Sequence, residues 1–250
     1  MITVQDVYNA IDARAPFASQ EPYDHCGLQV GSMNSPVHKV LAALDLSREV
    51  VAEAVELGCD LILTHHPFIW SPLQTVTDDE YAGGLIASLI RHGIAYIATH
   101  TNVDKAEGGH SETIAKWIGG RNLTHMEGEE CVVLCDLEPV KTSELLAKVK
   151  ATFDPYAYLV GEDKVVTQAA VCSGAGCSDK LVGCAMSEGR VYLSGEFKHH
   201  QLRYAADIGG NLIGFGHYQS EAFYSQIISD WLSPIVQVCR SQQKDPITQR

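Results

Sequence analysis

The sequence predicts an α/β protein made of two related βαβ-type lobes with largely parallel sheets. Short unbroken apolar runs, HKVLAALDL (38–46), CDLILT (59–64) and IAYIATH (94–100), alternate with stretches of helical periodicity. The second half repeats the plan: strand, helix, strand, polar cluster, helix, strand, polar cluster. His100 and Asp104 follow a strand in one half, His217 and Glu221 follow one in the other, and both pairs have the spacing His-x3-carboxylate.

An amphipathic helix is expected from about Val4 to Ala15, then the loop FASQEPYDHCG and a short strand around Leu28–Val30. The buried strand in HKVLAALDL leads to the helix SREVVAEAVELG, and CDLILT ends at His65-His66-Pro67. Tyr81–His92 reads as a helix stopped by Gly93, with IAYIATH the strand after it. In the second half VVTQAAVC, RVYLS and NLIGFG read as strands. CSDKLVGCAMSEG, the segment opened by Gly195-Glu196-Phe197, and Glu221 to Leu232 read as helices. Glu130 to Val160 forms a separable β-α-β piece, so the expected division is a first lobe over 1–127, a small insertion over 128–165 and a second lobe over 166–250.

A formal net charge of −13, with no run of Lys or Arg, repels polyanions and excludes general binding to nucleic acid or anionic membranes. A small anionic substrate stays open, because bound cations reverse the field inside one site. No apolar stretch reaches membrane-spanning length, and MITVQDVYNAIDARAPF has polar and acidic residues where a signal peptide needs an apolar run. The expected compartment is the cytoplasm. There most of the eight cysteines are expected to be small buried apolar residues rather than disulfides.

The chemistry concentrates at strand ends, where open α/β sheets place their ligands. His65 and His66 close a buried strand; neighbours in extended chain point to opposite sides, so each is expected to hold a different ion. The alternative is a pair of solvent-facing histidines before a Pro turn. Asp104 offers a hard carboxylate oxygen, or simply serves a turn. Ser220 and Glu221 are suited to capping and charging the start of the last helix, and Glu221 equally to holding a metal. Three strand ends carrying imidazole and carboxylate, side by side in a sheet, favour a metal site, since converging bare charges are costly. Nitrogen and oxygen donors without thiolate suit Zn, Mn, Fe or Co better than Ca. SGAG (173–176) reads as a tight turn rather than a phosphate cradle. Glu196 is a candidate proton-transfer group or a helix-start carboxylate, and His199 and His200 fit surface positions.

DHCGLQVG (24–31), LTHHPFIW (63–70), HTNVDKAEGG (100–109), CSGAG (172–176), SGEFKHH (194–200) and GHYQSE (216–221) together resemble the NIF-three-like dinuclear metal-centre family, whose members are often called GTP cyclohydrolase type 2 homologues. The likeness runs over essentially the whole chain. It implies metal ligands at His65, His66, Asp104, His217 and Glu221, with His100 an outer-shell residue or an extra ligand. It also implies two divalent ions per chain (Zn, Mn or Fe) and a ring-shaped homohexamer. The sequence departs from the family pattern at His25, where Asn is usual, and at His110 and Ser111, where Val-Asn is common.

The expected function is therefore a metal-dependent hydrolase that directs water at a small, nucleotide-like substrate, with Glu196 as the proton carrier. The alternative is a non-catalytic metal-carrying or regulatory hexameric assembly.

Overall fold

The computed structural model describes residues 1–176 and 178–248, without the side chain of Glu188. The chain forms two compact units, one comprising Met1–Glu107 and Tyr224–Lys244, the other Gly108–Phe223 with the stretch from Asp245 onward.

The first unit holds helices α1 (Val4–Asp12), α2 (Arg48–Leu57), α3 (Tyr81–His92) and α4 (Thr101–Asp104), with α10 (Tyr224–Leu232) returning near the C-terminus. Its strands are β1 (Gly27–Val30), β2 (Lys39–Ala43), β3 (Leu61–Thr64), β4 (Ala95–Ala98) and β11 (Gln237–Arg240), in the order β1-β4-β3-β2-β11. All neighbours run parallel except β1, which pairs antiparallel with β4 at the edge. The unbroken apolar character of β2, β3 and β4 follows from burial on both faces. Leu41, Ile62 and Tyr96 pack with Val50, Ala54, Leu85 and Leu89 of α2 and α3, while α10 packs on β2. The Thr3 hydroxyl accepts from the Asp6 amide to start α1 in a capping box, Ser47 starts α2, and Gly93 (φ 67°) ends α3 as expected.

The second unit carries α5 (His110–Trp117), α6 (Thr142–Thr152), α7 (Asp179–Ala185), α8 (His199–Asp207) and α9 (His217–Glu221). Its sheet has the order β5-β6-β8-β9-β10-β7, from β5 (Arg121–Met126), β6 (Glu129–Lys141), β7 (Tyr158–Val160), β8 (Val165–Cys172), β9 (Val191–Ser194) and β10 (Asn211–Gly214). The three strands β8, β9 and β10 are parallel, and the others join them antiparallel. Side chains alternate between two cores: Ala169, Val171, Leu193 and Ile213 on one face, Ala170, Cys172, Tyr192 and Leu212 on the other.

The unit boundaries differ from the expected division at 127/128 and 165/166. β6 pairs along its length with β8, so the stretch 128–165 is built into the second sheet rather than inserted beside it. The last expected helix is α10, which starts at Tyr224 rather than Glu221; Glu221 closes the short α9, and the chain passes from the second unit back to the first between them. The segment opened by Gly195 becomes helical only at His199. Among the described residues no helix is long and apolar enough to cross a membrane.

Among the described residues Cys59, Cys135 and Cys172 are buried as expected, whereas Cys26, Cys131, Cys184 and Cys239 are partly exposed; Cys177 lies outside the described residues. Burial pushes the thiol of Cys59 up to about 12 and that of Cys135 up to about 11. Both stay protonated at mildly alkaline pH, so iodoacetamide labels them only after denaturation. Peptide mass mapping reads this directly; equal labelling rates in native and denatured protein contradict it.

Candidate metal-binding clusters

In the first unit the parallel strands end level with one another, Ala43 opposite Thr64 and Thr64 opposite Ala98. Register alone thus brings Asp45, His65-His66 and Thr99-His100 to one edge. His65 is fully buried, and its Nδ1 lies 3.0 Å from the carbonyl oxygen of Thr99. A carbonyl can only accept, so Nδ1 carries the proton and Nε2 of the neutral ring carries the lone pair. His66 Nδ1 donates in the same way to Asp45 Oδ1 at 2.7 Å, and His100 Nδ1 to Asp24 Oδ1 at 3.0 Å. This is how metal-binding histidines are oriented: one nitrogen donates to an acceptor behind it, and the other presents its lone pair.

One ring nitrogen each of His65, His66 and His100 lies within 4.8 Å of the others. The carboxylate of Asp104, on α4, comes to 3.7 Å from His65 Nε2. Either a proton on Nε2 or a cation bound by both groups makes that contact favourable. The donor set is imidazole and carboxylate, which fits Zn, Mn or Fe. The expectation that His65 and His66 point apart does not hold. Both amides bond to the Leu44 carbonyl, at 3.1 Å each, so the chain leaves extended geometry and the rings sit 5.0 Å apart in one cluster.

Asp24 anchors this arrangement. Burial alone raises its carboxyl pKa, but hydrogen bonds from His100 and Thr101 outweigh it and hold the group well below the usual range. Burial, with the charge of Asp24, pushes the Cys26 thiol up to about 12, and that thiol donates to Asp24 Oδ2 at 3.3 Å. Behind the histidines, the buried hydroxyl of Tyr96 lies 2.7 Å from Thr64 Oγ1 and accepts the Phe68 amide at 3.0 Å, fixing the turn after His66. The Tyr224 ring packs 5.3 Å from that of His65 while its hydroxyl meets Thr99 Oγ1 at 2.5 Å.

In the second unit β8, β9 and β10 also end level, Cys172 opposite Ser194 and Ser194 opposite Gly214. Beyond them stand Gly174, Glu196 and His217. His217 Nε2 is 2.9 Å from Glu221 Oε2, one helical turn on, and His217 Nδ1 is 3.3 Å from Glu196 Oε1. Two donors on one ion, each at roughly 2.1 Å, stand about 3.0–3.4 Å apart at octahedral or tetrahedral angles. The His217–Glu221 spacing is close to that. Gly174 (φ 56°) packs against Glu221 so tightly that a side chain there collides with its carboxylate. The buried carboxylate of Asp154 accepts the Gly216 amide at 2.7 Å, fixing the start of α9. Ser220 ties this site together rather than capping the last helix: its hydroxyl donates to the His217 carbonyl at 2.6 Å and accepts the Gly174 amide at 2.9 Å. Ser111 accepts the Ser173 amide at 3.1 Å. The Ser173 and Gly174 amides of SGAG are thus bonded within the protein, and the chain bends at Gly174 and Ala175.

The sequence expectation set three strand ends in one sheet. The ends of β3 and β4 share the first sheet, whereas that of β10 belongs to the second. His65, His66, His100 and Asp104 therefore gather in one unit, and His217, Glu221 and Glu196 in the other. His200 pairs with Asp179 at 2.8 Å on the surface, and His199 opens α8. Buried His110 packs on Phe223, ring centroids 5.2 Å apart.

The family model described as Duf34/NIF3 (NGG1p interacting factor 3) matches residues 2–246. The chain belongs to the Duf34/NIF3 family. Two relatives in that family are each named GTP cyclohydrolase 1 type 2 homolog. The one from Lactococcus lactis subsp. lactis is 33% identical over 231 residues, 88% of this chain and 89% of its own length. The one from Clostridium perfringens is 30% identical over 228 residues, 87% and 86% respectively. The crystal structure of a Bacillus cereus protein related to NIF3 matches with a TM-score of 0.86 at 21% identity, covering 100% of this chain and 99% of that one. It shares the Duf34/NIF3 fold.

Three supporting groups were missed in the sequence: Asp24 and Asp45, behind the imidazoles, and Asp154, which holds the Gly216 amide. The first lies within the DHCG motif and the second ends the apolar run HKVLAALDL, but only the strand register shows what they hold. In this Duf34/NIF3 chain, Asp24→Asn and Asp45→Asn are each expected to weaken zinc binding by about 10–100-fold. Competition with a chromophoric chelator measures it; unchanged affinity in both variants contradicts the orienting role.

Proposed function

We propose that this protein binds two divalent cations through His65, His66 and Asp104 of one cluster and His217 and Glu221 of the other, and uses them as a hydrolase acting on a nucleotide-like substrate. The observation that carries this reading is the shared orientation of His65, His66 and His100, each with Nδ1 donated to an acceptor behind it. Three buried or half-buried imidazoles so arranged are prepared for metal rather than for packing. The relatives' shared name, GTP cyclohydrolase 1 type 2 homolog, supports the substrate class.

Divalent cations so held would supply Lewis acidity and activate water at neutral pH. The chain's own groups do the rest. Asp45 and Asp24 hold His66 and His100 in the orientation that presents Nε2. Glu196 holds the Nδ1 side of His217, and as the more exposed carboxylate of its cluster it takes the proton-transfer role. His100, oriented like the ligands, serves as an additional ligand or contacts the substrate. Assembly as a homohexamer belongs to the same proposal.

Protein reloaded with Mn, Zn or Fe is expected to turn over GTP or a phosphoester from a substrate panel, and His65→Ala to abolish that turnover. Elemental analysis is expected to give about two metals per chain, fewer in His65→Ala and in Glu221→Ala. Metal content without turnover on any substrate replaces the hydrolase with a metal-carrying or regulatory assembly. Full metal content in both variants removes the ligand assignment.

A further inference from the structure

Beside the first cluster stands an aromatic wall that the ligand chemistry does not use. Trp70 follows the His65-His66 turn, and its ring lies 5.8 Å from that of His100, nearly perpendicular at 81°. His25 also meets it at 5.4 Å and 75°, a T-shaped contact. Trp70 is 42% exposed, and His25 is exposed as well. Large apolar rings at a surface are ordinary when isolated and mobile. Here the backbone beside the ring is held in place.

The holding group is Gln29, on β1. Its side-chain amide accepts the Ile69 amide at 2.8 Å and donates to the Ile69 carbonyl at 3.1 Å, and also reaches the His25 carbonyl at 3.0 Å. One side chain thus fixes the backbone next to Trp70 and the backbone of His25 together. The His25 amide is bonded in turn to Asp24 Oδ1 at 2.7 Å, the same oxygen that orients His100. Ligand cluster and wall therefore share one framework.

We infer that Trp70 forms a specificity-determining wall on which a planar heteroaromatic ring of the substrate stacks, with His25 supporting the indole through its T-shaped contact. The inference deepens the hydrolase reading and rests on its placement of substrate at this cluster. The reasoning is chemical. Cations at the imidazoles attract the anionic part of a substrate, and an exposed indole next to them offers a π face for a ring joined to that part. Stacking accepts any planar base, so the wall selects for the presence of a base more than for its identity.

The test compares GTP with ribose 5-triphosphate, which keeps the phosphates and lacks the base, by calorimetry on metal-loaded protein. Wild type is expected to prefer GTP by roughly tenfold or more, the range that aromatic stacking supplies. Trp70→Ala is expected to bring the two ligands to equal affinity while metal content and ribose 5-triphosphate binding stay unchanged. Trp70→Phe is expected to restore most of the preference, and His25→Asn to lose part of it. No preference in wild type, or a full preference in Trp70→Ala, overturns the wall. The failures are separable: a base preference in a protein without turnover removes the hydrolase and keeps the wall, whereas turnover that is indifferent to Trp70 does the reverse.

Discussion

A neutral imidazole has one proton and one lone pair, and which nitrogen carries which is decided by what stands behind the ring. In the first unit that decision is made three times in the same sense, by the Thr99 carbonyl, by Asp45 and by Asp24. Without these acceptors the rings at the strand ends have no fixed tautomer and no fixed direction. With them, each Nε2 becomes a donor. Asp24 has the largest share of this work. It accepts from His100, His25, Thr101 and Cys26, and these bonds keep it ionised despite its burial.

The acceptors are in place because the parallel strands end level. A one-residue slip of β3 against β2 or β4 exchanges inward and outward side chains and moves Asp45 and Thr99 away from the histidines. The cores set this register: Leu41, Ile62 and Tyr96 are locked against α2 and α3. The second unit uses the same device with different groups. Level ends of β8, β9 and β10 place Glu196 beside His217, and Asp154 fixes the first turn of α9 so that Glu221 returns to the same imidazole.

Much of this was legible in the chain. The apolar runs of β2, β3 and β4 announce strands buried on both faces, and Tyr81–His92 is the helix that its periodicity and Gly93 predict. The spacing His-x3-carboxylate reflects a real shared plan, a strand followed by a short helix ending in Asp104 or Glu221. What stayed hidden is what depends on pairing between distant segments. Periodicity cannot say which sheet receives a strand, so the stretch around β6 looked separable. It cannot foresee that His65 and His66 share a side either, because their amides leave the ladder together for the Leu44 carbonyl. Asp45 and Asp24 carried no local signal as acceptors, since a carboxylate after a strand or in a loop serves turns equally well.

Anomalous diffraction at a metal absorption edge, from crystals of protein purified without chelators, tests the central claim most directly. The account predicts peaks within coordination distance of the Nε2 atoms of His65 and His66, with both Nδ1 hydrogen bonds retained. Peaks located elsewhere, or strand-end histidines with flipped rings and no scatterer beside them at full metal loading, contradict it.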